Sequence, residues 1–289
     1  MTIAVVGATG NTGRAVVKEL KSLGQNPVCV VRNADKAREV LGADVKVAVA
    51  ELNDPATLQK ALMGVTSVFV VTGHNPGMVE QQNNVLDAAI KAGAKYLVRV
   101  GGGAAVAFPG TPSVVGQGHL AIEARLKDSG IGWVILKPGL FMQNTFGQAA
   151  LIKNDGKLVG TAAKDAPLAF IDVRDTGALG ARILVDPAPH AGKTYEFTGK
   201  AVTFPQFAQA FSEVLGKAVN YVPVTLEQNE QSVKSRGLPD WLVTHMLVVA
   251  KGSADGSFSK ENTQPIRDIV DRDPISPKTF VEDFRSVFS

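Results

Sequence analysis

Glycines at positions 7, 10 and 13 stand three apart in the segment Gly7-Ala-Thr-Gly10-Asn-Thr-Gly13. An apolar run over 3–6 leads into them, and an amphipathic stretch over 12–23 follows. Strand, glycine turn and helix in that order make a cradle for an anion. Gly7 lets the chain turn sharply off the strand, Gly10 leaves room for a pyrophosphate against the backbone, and Gly13 allows the helix to pack closely on the strand. The first helical turn then presents free N–H groups and a partial positive charge. Thr9, Asn11 and Thr12 add side-chain donors. These residue types imply a bound dinucleotide; a tight turn with no ligand is the plainer alternative.

The second strand selects the dinucleotide. A carboxylate at its end would hydrogen-bond the ribose of NAD, but here the run 27–31 ends in Arg32, with Lys36 one turn on. A guanidinium there suits the 2′-phosphate of NADP, so NADPH is the expected cofactor. A solvated surface arginine is the alternative. Thr72 and Gly73 after the fourth strand, and Gly101 after the fifth, fall at carboxyl ends of parallel strands and are expected on the same cofactor. His74 is expected at the ribose–nicotinamide edge, or as an ordinary loop residue.

His119 and Glu123 stand four apart, on one helix face. His119 is expected to titrate near neutrality and give a proton to an acceptor, or else simply to fill space at a helix start. Glu123 would orient it or pair with Lys127. Lys137, at the end of the sixth strand, is a second catalytic candidate, or a surface lysine. Phe141, Phe146 and Trp241 are the candidate walls of an aromatic pocket, with Phe108, Met142 and Phe170 as further apolar residues. No metal is expected.

The elements that must position these residues alternate in type. Strands are predicted over 2–6, 27–31, 45–49, 67–72, 96–100 and 133–137, and helices over 12–23, 55–63, 78–92 and 119–129. Asp54-Pro55 reads as a helix start, and Gly24, Gly64, Gly93 and Gly130 as helix stops. The fold class is α/β: a doubly wound parallel sheet of Rossmann type. Farther on, helices are predicted over 172–185, 204–215, 226–236 and 241–251, a strand over 194–198 and a break over 252–256. Residues 1–190 are therefore read as the NADP-binding domain, with 139–166 contributing to the substrate cleft, and 191–289 as a smaller, more helical lobe.

Bulk composition excludes several classes. Thirty basic residues are spread among 27 acidic ones for a net charge of +3, so no basic footprint for nucleic acid exists. No apolar run is long enough to span a membrane, and no signal segment is seen, so a cytoplasmic setting is expected. The one cysteine, Cys29, lies in an aliphatic run and reads as a small buried hydrophobe. A homodimer is left open.

The glycine segment, Arg32, His119-Leu-Ala-Ile-Glu123, Leu136-Lys-Pro-Gly-Leu-Phe-Met-Gln-Asn144, Phe170-Ile-Asp-Val-Arg-Asp175 and Tyr195-Glu-Phe-Thr-Gly199 together resemble the NmrA-like group of atypical short-chain dehydrogenases. The resemblance covers nearly the whole chain and is strongest to NADPH-dependent reductases of quinones or triphenylmethane dyes. It also implies two alternatives: a regulator that senses NADP without chemistry, and an epimerase or dehydratase. Alcohol-oxidising members of the wider group carry a serine after the fifth strand and a Tyr-x-x-x-Lys pair. Here Gly101-Gly-Gly103 and His119/Glu123 occupy those places. The resemblance thus implies an acceptor that takes hydride readily, such as a quinone, azo compound or dye cation, and disfavours the epimerase.

Overall fold

Seven parallel strands form the centre of the computed structural model, which describes residues 2–289. Strands and helices alternate as β1 (Ile3–Val6), α1 (Asn11–Ser22), β2 (Val28–Val31), α2 (Ala34–Leu41), β3 (Lys46–Val49), α3 (Pro55–Ala61), β4 (Ser67–Val70), α4 (Met78–Lys91), β5 (Tyr96–Val100), α5 (Val114–Lys127) and β6 (Gly132–Pro138). Beyond these run β7 (Leu140–Phe141), α6 (Ala149–Asp155), β8 (Lys157–Gly160), β9 (Pro167–Ile171), α7 (Val173–Val185) and β10 (Lys193–Phe197). The chain ends with β11 (Ala201–Thr203), α8 (Phe204–Leu215), β12 (Asn220–Pro223), α9 (Leu226–Lys234), α10 (Asp240–Ala254), α11 (Gln264–Val270), α12 (Pro277–Asp283) and α13 (Arg285–Phe288).

The strand order is β10-β6-β5-β4-β1-β2-β3, and every neighbouring pair is parallel. The doubly wound sheet expected from the sequence is therefore present. Its winding reverses between β1 and β4, which opens a crevice at their carboxyl ends. Two apolar layers cover the sheet: Val5, Val16, Leu20 and Leu179 on one face, Val6, Leu58, Val85 and Leu126 on the other. Helix α1 lies closely on α7, because Gly177 faces Ala15 where a Cβ would come within 2.5 Å of the alanine methyl. Local signals set the helix ends. Asp54 caps α3 by accepting from Ala56 and Thr57 N–H, and Gly24, Gly64, Gly93 and Gly130 sit at positive φ where helices stop.

Two helix boundaries differ from expectation. Helix α5 begins at Val114, five residues before the predicted 119, because Ser113 caps it by accepting from Gly116 N–H. Two glycines ahead of the predicted start are demanded by packing: a Cβ on Gly116 would stand 2.2 Å from Val106 O, and one on Gly118 2.9 Å from Met78 Cε. His119 is therefore mid-helix. Helix α10 runs to Ala254, three residues into the predicted break, with Gly252 turned against the Phe258 ring.

The lobes are not divided at residue 190. Strand β10 completes the main sheet beside β6, and Ile266 and Val270 of α11 pack into the main core. Conversely, Met142, Ile152, Leu158 and Phe170 belong to the second lobe's core with Phe207, Phe211, Phe280 and Phe288. Helices α8 to α13 make that lobe largely helical, and it also holds a three-stranded sheet (β11-β9-β7) and a two-stranded one (β12-β8). Among the described residues no helix is long and apolar enough to cross a membrane. Cys29 is buried, and desolvation pushes its thiol up to about 11, consistent with a packing role.

Candidate functional site

A cleft of about 880 Å³ follows the carboxyl ends of β1, β2, β4, β5 and β6. Gly7, Thr9, Gly10, Asn11, Thr12 and Gly13 form its floor at one end. The three glycines are there for different reasons. Gly7 is at φ +82°, where a Cβ would lie 1.8 Å from Val71 O, and a Cβ on Gly13 would lie 2.1 Å from Gly7 O. The fold itself requires both. Gly10 is otherwise: its φ of −75° and ψ of 167° suit any residue, and a Cβ there meets only Gly7 O, at an ordinary 3.5 Å. It caps the 12-residue α1 without any side-chain hydrogen bond. The space a side chain would take at Gly10 therefore belongs to the cleft, and the uncapped N–H groups of α1 are free to bind an anion there. The cradle fits the pyrophosphate of a dinucleotide.

Arg32 lies on the cleft wall, exposed, and makes no ion pair among the described residues. Lys36 does not line the cleft; it is exposed in the first turn of α2, its N–H bound by the Asn33 cap at 2.9 Å. A second cation that sequence reading missed is Arg14, whose Nη2 donates to Asn11 Oδ1 at 2.8 Å on the cradle rim. Glu51, Leu52 and Asn53, after β3, line the same end and carry no motif that announces them.

At the other end Thr72, Gly73, His74, Gly101, Gly102 and His119 meet on the wall. Behind them runs a buried polar chain. Arg99, 1% exposed in the middle of β5, donates from Nε to Gln82 Oε1 at 2.6 Å and from Nη2 to His119 Nδ1 at 2.7 Å. Gln82 in turn donates to Thr72 Oγ1 at 2.8 Å. Glu123 Oε1 lies 3.6 Å from Arg99 Nη1, and its Oε2 is 2.9 Å from Lys137 Nζ. Lys137 is thus neither a surface lysine nor a lining residue, but the counter-ion that holds Glu123. The Glu123–Lys127 pairing is replaced by this buried one. Isolated charges at such depth would cost several kcal/mol each, which the mutual pairing offsets. Sequence reading passed over Arg99, although a lone charge inside the central strand Tyr96-Leu-Val-Arg-Val100 is itself a signal.

His119 does not titrate near neutrality as expected. Burial first, then the Arg99, His74, His245 and Lys137 charges, hold it well below the usual histidine value. His74 is lowered by burial and Arg99, and His245 by burial and His74 to about 4. The three rings converge, His74 standing edge-on to His119 at 5.6 Å and to His245 at 5.1 Å between centroids. His245 comes from α10 and meets Ser113 Oγ at 3.0 Å. Stability should follow. An unfolded histidine binds a proton below about 6.5, while these three remain neutral in the fold, so stability is lost as pH falls from about 6.5. The melting temperature should be flat above pH 7 and drop between pH 6.5 and 5. A flat curve through that window in scanning calorimetry would show that the rings charge freely in place.

Phe141 lines the cleft with Leu140, Val249 and Phe258, so the pocket wall is shared by the two lobes. Phe146 does not reach it. It lies in the second lobe's core, 5.1 Å from Phe284 and 5.8 Å from Phe280 between ring centroids, because the tight turn after β7 carries it inward. Trp241 is likewise outside, packed on Met78, Val115 and Ile122. Phe170 and Met142 are core residues, and Phe108 is exposed. No cluster that could hold a metal exists among the described residues.

The model of the NmrA-like family matches residues 1–255. An NAD(P)H azoreductase of Xenophilus azovorans is 35% identical over 246 residues, 84% of each chain. Quinone oxidoreductase 2 of Escherichia coli (strain K12) is 31% identical over 260 residues, 89% of each. The structure of the Citrobacter sp. triphenylmethane reductase complexed with NADP(H) superposes with a TM-score of 0.81 at 25% identity, covering 96% of this chain and 98% of that one.

Proposed function

The chain belongs to the NmrA-like family, and from that premise we propose that it is an oxidoreductase passing hydride from NADPH to a quinone or a similar electrophilic aromatic, such as an azo compound or dye. The carrying observation is a cradle with unfilled space at Gly10 that continues, in one cleft, into an apolar wall of Leu140, Phe141, Val249 and Phe258. A regulator that only sensed the nucleotide would have no use for that second space. When bound, NADPH supplies the hydride. The first turn of α1 would hold its pyrophosphate and Arg32 its 2′-phosphate, leaving the apolar part of the cleft, lined by both lobes, for the acceptor. With Glu123 and Lys137 spent on each other and His119 neutral, little acid–base equipment faces the acceptor, which suits one that accepts hydride readily. We also propose a cytoplasmic setting, with which a single buried cysteine and no second thiol to bond with are compatible.

NADPH oxidation should be followed against quinones, azo compounds and cationic dyes. Activity on at least one class is expected. Phe141→Ala should raise KM for the active acceptor by roughly tenfold, about 1.4 kcal/mol of binding, with NADPH affinity little changed. Equal losses for cofactor and acceptor would mark Phe141 as a structural residue. Turnover of none of the three classes would sink the reductase reading.

A further inference from the structure

The buried chain behind His119 settles which of its ring nitrogens carries the proton. A guanidinium offers N–H donors and no acceptor, so the 2.7 Å contact from Arg99 Nη2 makes His119 Nδ1 the acceptor. In a neutral ring the proton is then on Nε2. His119 lines the cleft, and Gly102 gives its ring room there, since a Cβ would come within 2.6 Å of Cδ2 and 3.1 Å of Cγ; among the described residues no group is hydrogen-bonded to Nε2.

The charges around the ring hold it in that form. Arg99 of β5 touches Nδ1, Lys137 of β6 stands one link behind through Glu123, and His74 and His245 approach from the loop after β4 and from α10. Two cations outweigh the single carboxylate of Glu123, one turn along α5, so a further positive charge on the ring is disfavoured. The arginine also withdraws electron density from the ring, which strengthens Nε2–H as a donor.

We propose that Arg99 is a positioning residue that fixes His119 as a permanent Nε2–H donor, and that this donor serves acceptors whose reduction leaves negative charge on an oxygen or nitrogen. This rests on the reductase reading above. Reduction of a quinone transfers one hydride, two electrons with a proton, from NADPH; NADP⁺ and the hydroquinone monoanion result. The Nε2–H group hydrogen-bonds the oxyanion as it forms, in the manner of an oxyanion hole. The second proton comes from water, and His119 keeps its own. A triphenylmethane cation accepts hydride at carbon and becomes neutral, so it has no developing anion for His119 to hold.

Two measurements test this. In protein labelled with [15N]histidine, which has only four such residues, the His119 resonances, assigned by their loss in His119→Gln, should show a protonated Nε2 and bare Nδ1, unchanged from pH 8 to 5.5. Arg99→Met should free Nδ1 of its donor, so that the two neutral tautomers mix while the buried ring still resists charging. An imidazolium or Nδ1–H signature in the parent overturns the proposal even if the variant fails to fold. In kinetics, His119→Ala should lower kcat for a neutral quinone by roughly 100-fold, the scale for losing one such donor. His119→Gln, a donor that cannot titrate, should recover part of it, and a cationic dye should be nearly unaffected by either change. Equal losses on quinone and dye, or Gln as poor as Ala, would overturn the donor role. A protein that reduces neither acceptor would instead defeat the reductase reading, while the resonance data still decide the tautomer.

Discussion

Gly10→Val should leave a folded protein that no longer binds NADPH, with a loss of at least about 100-fold, or about 2.7 kcal/mol. The dissociation of the two effects is the point. The backbone at Gly10 is extended and the nearest protein atom to an added Cβ is 3.5 Å away, so the fold tolerates a side chain there. Replacing a capping glycine by valine costs the helix no more than about 1 kcal/mol. Gly10→Ser, a favoured capping residue, should cost less still and yet weaken binding, because its side chain occupies the same part of the cleft. Gly13→Ala behaves oppositely: its Cβ would meet Gly7 O at 2.1 Å, so the protein without cofactor should itself melt lower. Calorimetric titration with NADPH and thermal melts of the three variants separate the cases. A Gly10→Val protein that binds NADPH like the parent would remove the cradle from the site.

What could be read from the sequence divides along a physical line. The cradle was legible because all its parts lie within thirteen residues, and Arg32 because it ends the strand beside β1. The parallel sheet was legible because its short aliphatic strands are each followed by a helix with a local start or stop signal. The acceptor end was less so. Phe141 and Phe146 are five residues apart and look alike in sequence, but a tight turn sends one into the cleft and the other into the second lobe's core. His245, Val249 and Phe258 reach the cleft only through the packing of α10 on the first lobe, a long-range fact with no local motif. The lobe boundary failed for the same reason. Strand β10 was predicted, but its partner β6 lies more than fifty residues earlier, so its place in the main sheet was not visible. His119 was legible by position, but its protonation was not, because it depends on burial and on Arg99, a residue of β5 twenty positions earlier that meets the ring only through tertiary packing.

Arg32→Ala should erase most of the preference for NADPH over NADH. The 2′-phosphate carries close to two negative charges, and a guanidinium meets it with two parallel charge-assisted hydrogen bonds. Hydrogen bonds to charged groups contribute about 1.5–3 kcal/mol each, but Arg32 is exposed, so solvent and salt take part of that. A loss of roughly ten- to a hundredfold in NADPH affinity follows, at about 1.4 kcal/mol per decade. NADH, lacking the phosphate, should bind the variant as it binds the parent. Lys36 and Arg14 both lie outside the cleft wall, but Arg14 is tied through Nη2 to Asn11, which lines it, so Arg14 is the reserve cation held at the site. Arg32→Ala should therefore retain a residual preference that Arg14→Ala in the same chain removes, whereas Lys36→Ala should add nothing. Arg32→Asp should tilt the preference to NADH through repulsion of the phosphate. The dissociation constants should be measured at two salt concentrations, since an interaction at an exposed guanidinium weakens as salt rises. If the parent binds NADH as tightly as NADPH, Arg32 is an ordinary surface residue and the phosphate assignment fails with it.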